Sequence, residues 1–530
     1  MGPSRKSRIA NSGYLTVALL GFVMLVPLIA IGAGDDAKRG DPRPAVFKGP
    51  VPRANCGPND RVETGLQGQT TLAERQSGQS ERAYNCNLEL VGQVQGDGSK
   101  WQLTFFNDCA YYGTWNNFDR PMQPNPGAVV VDASNPRNPV ITDYLSARAM
   151  SDPHESLKVN ERRRLLGAVK GPGFGPTTAT DSQFAFYDIS GDCAHPRLLS
   201  DVNVPGTIGH AGDFAPDGRT YYGNQFGTFI TALDITDPRQ PKLLGRIQRG
   251  THDLSVSEDG TRMYLAQPGN FLPFGAPGLN GLVIVDISDF QFRRPDPQTR
   301  TIGTIFWQDG GVAQQPQQVT YNGRKHIIFT DETGVGPAAT ASASRTADCA
   351  LGLPMFGYAR IIDIDDETNP TLVSKLRLEV HDPANCGQVI NDFAPNIADL
   401  DFYGYSSHYC SVDRPKNPRM LACGYLGSGL RVFDIRDPFH PREIAYYKPP
   451  ARRMEVRLGS ALWADYGGDS GITRDRTTDR VQTQMRFRMH NGEWHIWFVG
   501  QDNGFQIVRF TKPLRELLGK GNGKDADVDD

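Results

Sequence analysis

The apolar positions of this chain recur in short alternating runs, and each run ends in the same way. A strand-like stretch closes on Asp and passes into a turn that carries Pro: AVVVDASNPRNP at Asp132, FAFYDISGDCAHP at Asp188 and ITALDITDPRQP at Asp234. LVIVDISDFQFRRP at Asp286, ARIIDIDDETNP at Asp363 and LRVFDIRDPFHP at Asp434 repeat it, and FQIVRF is a degenerate seventh copy with Arg509 in place of the Asp. Period-2 alternation bounded by Asp, Ser, Asn and Pro is the pattern of a strand, a turn and a second strand. Upstream of each copy lie two more strands around a tight turn, as in HAGDFAPDG/RTYYGNQ and HDLSVSEDG/TRMYLAQ. Four strands, A to D, per unit predict a propeller blade.

Six complete sets start near Trp101, His154, His210, His252, Gln315 and His408. The seventh, from Val481 to Phe510, has no D strand of its own, while LELVGQVQG (Leu88 to Gly96) is a D strand that precedes any A. Joining the two removes an open sheet edge. The fold class expected is therefore all-β: a seven-bladed β-propeller of four-stranded antiparallel blades, closed by an N-terminal strand. The propeller is expected over residues 83–515, after a polar linker or strap at 35–82 and before a disordered tail at 516–530.

The repeat resembles the LVIVD-repeat family of bacterial and archaeal surface propellers, and Leu282 to Asp286 spells LVIVD itself. That resemblance implies the fold and attaches no general activity. THDLSVSEDG and LDITDPRQP carry a weaker likeness to the selenium-binding protein/methanethiol oxidase family. Members of that family include copper-dependent oxidases, so the likeness implies oxidation as a reading to test. No catalytic motif of that family maps onto this chain residue by residue.

Composition narrows the setting. The 57 Gly and 38 Pro among 530 residues suit short strands and turns, and a net charge of −3 without a long basic face excludes nucleic acid as a partner. Residues 1–34 read as a signal peptide or an uncleaved signal anchor: Arg5, Lys6 and Arg8 precede an uncharged run from Tyr14 to Ile31. Either predicts export, to the periplasm, the cell surface or the medium, with membrane attachment only through that segment if it stays uncleaved. Eight cysteines without a CxxC motif favour disulfides over a thiolate zinc site. Cys410 and Cys423 flank the A–B hairpin of blade 6 almost symmetrically and are expected to pair; Cys349–Cys386 and Cys56–Cys86 follow from nearness in sequence.

The recurrent Asp residues read as turn formers whose carboxylates accept from the backbone two residues on. The histidines hold more chemistry. His154, His210, His252 and His408 each occupy the first position of strand A, the innermost strand, which crowds them at one mouth of the channel. Imidazole suits copper or zinc, and Glu155, Asp213 and Asp253 are placed to orient the rings. The bland alternative is a strand-capping His inherited by duplication. Polar residues ending B strands on the same side, Gln225, Gln267, Asp331, Glu332 and Asp502, and the long insertions there suggest a ligand-binding face. Two readings stay open: an exported propeller that binds a small molecule or surface protein, and a metal-dependent oxidase of small molecules.

Overall fold

The computed structural model describes residues 44–95, 101–113, 127–171, 183–225 except 208, 228–269, 279–334, 342–390, 404–451 and 478–519 except 502. The expected signal segment, Asp502 and most of the three long insertions lie outside these residues. Among the described residues no helix is long and apolar enough to cross a membrane.

Seven antiparallel sheets follow one another along the chain. Blade 1 spans Leu103–Phe106, Cys109–Tyr112, Ala128–Asp132 and Val140–Leu145; blade 2 spans Lys158–Asn160, Leu165–Val169, Gln183–Asp188 and Arg197–Asn203. Blade 3 begins at Gly212–Phe214, blade 4 at Leu254–Val256, blade 5 at Gly311–Tyr321 and blade 6 at Cys410–Val412. Blade 7 takes Arg486–His490, Glu493–Gly500 and Gly504–Phe510 from the C-terminal end of the chain. Its outer strand is Leu88–Val94, paired Leu88↔Phe510 through Val94↔Phe505. The expected closure is thus present. Arg509, which replaces the recurrent Asp, bonds Glu89 on that strand at 2.6 Å and Glu493 on strand B at 2.9 Å.

The apolar faces meet between blades. Tyr111 and Val130 of blade 1 pack with Leu166 and Ala185 of blade 2, and Leu103 and Val129 of blade 1 meet Trp497 and Phe505 of blade 7. Burying a Val or Phe side chain contributes about 1.5–3 kcal/mol, so each blade is stable largely through its neighbours. The recurrent Asp residues act as expected. Asp132, Asp188, Asp234, Asp286, Asp363 and Asp434 all accept from the amide two residues on, at 2.8–3.2 Å.

Four disulfides join Cys56–Cys86, Cys109–Cys193, Cys349–Cys386 and Cys410–Cys423. Three match the expected pairs; the fourth links strand B of blade 1 to the C–D turn of blade 2. Four bridges suit an oxidising compartment.

The described part of the strap lies along blades 5 and 6. Phe47 pairs with Ser374, the Val51 amide donates to the Arg377 carbonyl, and Tyr84–Cys86 adds a fifth strand to blade 6. A short helix, Leu72–Ser77, starts on a capping box between Thr71 and Glu74. The strap also completes a buried ionic group. Arg431, fully buried, donates to Glu63 at 2.7 Å and to Glu443 at 3.0 Å, and lies over the Tyr446 ring. Lys448 donates to the Gln69 carbonyl at 2.7 Å and stands 3.6 Å from Glu63. Burial opposes the charge on Glu63, but Arg431 and Lys448 hold its carboxyl below the usual range. A short helix, Leu514–Leu518, follows the last strand and buries Leu517 and Leu518.

Candidate metal centre at one end of the channel

Strand A enters each blade next to the axis, and His210, His252 and His408, expected as its first residues, instead stand two residues before its start at Gly212, Leu254 and Cys410. In blades 3, 4 and 6 one hydrogen-bond pattern fixes that position. The amides of His210, His252 and His408 donate to the carbonyls of Asn224, Ala266 and Gly424, whose own amides return to Ala211, Asp253 and Tyr409. Blade 2 differs from the expectation. Ser156 faces Val169, accepting from its amide at 2.9 Å and donating to its carbonyl at 2.7 Å, so Glu155 holds the register of the three histidines. His154 sits one residue earlier, at φ +46°, a left-handed conformation that costs a non-glycine residue about 1–3 kcal/mol. Gly171 makes room for it: a Cβ there would lie 2.6 Å from that of His154. The hairpin lengths carried this signal. Counting back from the strand-B residue opposite the recurrent Asp (Leu165, Thr220 or Arg262), ten residues lead to Glu155, His210 and His252.

These side chains come together, joined by Glu332 from the end of strand B of blade 5. His210 Nε2 lies 3.2 Å from Glu155 Oε2 and 3.3 Å from His252 Nε2. His252 Nε2 is 3.3 Å from Glu332 Oε2, while its Nδ1 is 3.7 Å from Glu155 Oε2. His408 Nε2 is 3.3 Å from Glu332 Oε1 and 3.5 Å from Glu155 Oε1. The His154 and His210 rings are 4.3 Å apart, and Trp101, at 5.0 Å, stacks on His408. All six ionisable groups are buried. The His408 Nδ1–H donates to the Gln482 carbonyl at 2.7 Å, which turns Nε2 toward the carboxylates.

The charges are mutually supported. Burial opposes ionisation throughout, yet His252 and His210 hold Glu155 well below the usual carboxylate range, and His252 and His408 bring Glu332 down to about 2. Burial would lower His408, but its contacts with Glu155 and Glu332 prevail and lift it to about 9. For His210 burial wins, and its pKa falls. Imidazole nitrogens and carboxylate oxygens, presented in groups whose ligand atoms lie within 4.8 Å of one another, are a donor set that fits zinc, copper or iron.

Other candidate residues lie elsewhere. Asp213 and Asp253 accept from the amides of Phe214 and Leu254, and Asp253 also accepts from the Tyr409 hydroxyl at 3.1 Å. They do not act as the expected orienters of the rings; Gln482 does that for His408. Both line the channel instead, in a cavity of about 760 Å³ with Lys158, Gln315 and, toward the A–B turns, Glu161, Glu258 and Lys416. Burial raises the carboxyls of Asp213 and Asp253 to about 6, against the pull of Lys158. Asp331 is no open ligand residue: it is clamped by Arg360 at 2.8 Å, the Trp307 indole at 2.9 Å and Asn280 at 2.8 Å. Gln267 is half-buried at the end of its strand, and Gln225 ends strand B of blade 3. Gln267 does not line the cavity. The expected polar face therefore splits: Glu332 joins the cluster, and the cavity lies on the A–B side of it. Trp101 and Gln482 had no place in the sequence reading of the site.

A family model for the LVIVD repeat matches residues 269–290, a segment that includes strand C of blade 4, Asn280–Asp286. The chain is a seven-bladed β-propeller that contains an LVIVD repeat. The match covers one repeat, and the remaining blades carry the same phrase in looser wording. No curated protein matches the chain. Among solved structures, hydrazine synthase of Kuenenia stuttgartiensis aligns at 14% identity and a TM-score of 0.46, over 79% of this chain and 97% of that one. A likeness at that level says nothing about the activity of this propeller. The weaker resemblance to the selenium-binding family finds no support in these matches.

Proposed function

We propose that this propeller is an exported metalloprotein that acts on a small molecule admitted through its channel. One observation carries the reading: four imidazoles and two carboxylates, all buried, face one another at the end of the channel. Structural strand caps would need no such convergence, and buried carboxylates set against imidazoles are the donors that a transition metal selects. Copper or zinc, held by His154, His210, His252, His408, Glu155 and Glu332, would supply Lewis acidity and, in the case of copper, one-electron chemistry.

The rest of the chain supports the ligands. Trp101 covers His408, and Gln482 holds its tautomer. Asp213, Asp253 and Lys158 make the adjoining stretch of channel polar and charged, which favours a small polar substrate over an apolar one. Export rests on the apolar segment near the N-terminus and agrees with four disulfides; the periplasm or cell surface is the compartment proposed.

Metal analysis of the chain purified from an exported compartment tests the proposal. A stoichiometric transition metal is expected, its amount reduced in His210→Ala with secondary structure retained. Protein that is metal-free as isolated and binds neither zinc nor copper on titration would leave a ligand-binding propeller as the surviving reading.

A further inference from the structure

We infer that the centre holds two metal ions bridged by Glu155 and Glu332, an inference that rests on the metal reading above. The two oxygens of each carboxylate face different imidazoles. Glu155 Oε2 faces His210 at 3.2 Å and His252 at 3.7 Å, whereas its Oε1 faces His408 at 3.5 Å. Glu332 divides in the same sense, with Oε2 toward His252 at 3.3 Å and Oε1 toward His408 at 3.3 Å. The two carboxylates thus span the same gap in parallel. The ligand atoms accordingly fall into two groups that share Glu155: His154, Glu155 and His210 form one, and Glu155, Glu332 and His408 the other.

Donor arithmetic points the same way. Four imidazoles and two carboxylates exceed what one four-coordinate ion takes, and a single ion would leave charged donors buried beside it. Two ions use both sides of both carboxylates, and the spacing of about 3.5–4 Å common to two-metal sites is one that such bridges support. The positions are unequal. The first has His154, His210 and Glu155 Oε2, with His252 Nε2 beside it, 3.3 Å from His210 Nε2 and 3.3 Å from Glu332 Oε2. The second has His408 and the two opposite oxygens, which makes three protein ligands and leaves coordination open, as catalytic metal positions do. His408 is thereby the ligand of the open ion, and the carbonyl of Gln482 sets its orientation.

Counting ions on the full chain decides the matter. The metal-free protein is titrated with zinc, and bound metal is measured after gel filtration; a parallel sample loaded with copper(II) is read by electron paramagnetic resonance. Two equivalents of zinc per chain are expected, with a spin-coupled copper spectrum. His408→Ala should bind one equivalent and lose the coupling while keeping the wild-type circular dichroism. One equivalent in the wild-type chain overturns the two-ion centre and leaves the metal reading standing. No binding at all overturns both. A folded His408→Ala chain that binds nothing overturns the division into two positions.

Discussion

The propeller buries two ionic groups that look alike in composition and differ in what closes them. In the strap group, Glu63 and Glu443 face Arg431 and Lys448, so two carboxylates meet a guanidinium and an ammonium. In the channel group, among the described residues, Glu155 and Glu332 pair with imidazoles rather than with Arg or Lys. A guanidinium cannot give up its proton inside a protein and offers no lone pair. Imidazole does both, so the channel group can exchange protons for a metal while the strap group cannot. Burial and charge count do not separate a structural cluster from a chemical one; the nature of the cation does.

The comparison predicts opposite responses to losing one partner. Arg431→Met strands two buried carboxylates and is expected to cost about 3–5 kcal/mol, seen as a lower denaturation midpoint in urea at unchanged slope. Glu332→Gln in the metal-free chain should cost about 1 kcal/mol or less, since its imidazoles can release their protons. Equal costs would erase the distinction.

The second response concerns the strap alone. Cys56–Cys86 closes a loop of 30 residues, and its replacement by two serines should remove up to about 3.5 kcal/mol by the chain-entropy argument. Thermal unfolding should register that loss while zinc stoichiometry at the channel stays unchanged; a fall in bound zinc would mean that the two regions are coupled. Metal should act on the other region. Zinc at a hundredfold excess over its dissociation constant should add about 2.7 kcal/mol to the wild-type chain. Calorimetry should find that gain kept in Arg431→Lys and missing in His252→Ala.

A further response is one of pH. Burial holds Lys448 at about 8, below its usual 10.5. The unfolded chain keeps that proton up to about 10.5 and the folded chain releases it from about 8, so stability should rise with pH across this window. Lys448→Met should flatten the rise; an unchanged slope would place its origin elsewhere.

Much of this architecture was legible in the sequence, because repetition averages out local ambiguity. Six Asp turns and the A–B hairpins announced the blades, and the unmatched strand at Leu88 announced the closure. The site was legible only in part. His210 and His252 share hairpin length and register, so pattern found them. His154 drew the eye from Glu155 because the alignment followed the residue type and not the ten-residue spacing. Trp101 holds the place of a histidine in a blade that has none there. Glu332 reaches the ring from strand B, opposite a strand A whose register shifts between Ala313 and Pro316. Gln482 acts through a backbone carbonyl, which leaves no trace in sequence. The strap group pairs Glu63 with Arg431 across 368 residues, a separation that no local pattern spans.

The strand Leu88–Val94 also sets a timetable. It is made before strand A of any blade, yet its partner Gly504–Phe510 follows all six other blades in synthesis. Until Arg486–Phe510 has been made, the outer strand of blade 7 has no partner and the ring stays open at one interface. Contacts of such long range are slow to form, and they expose an unpaired edge meanwhile. A chain truncated before Gly504 could build individual blades but not the circle, and every residue of the channel depends on the circle for its position.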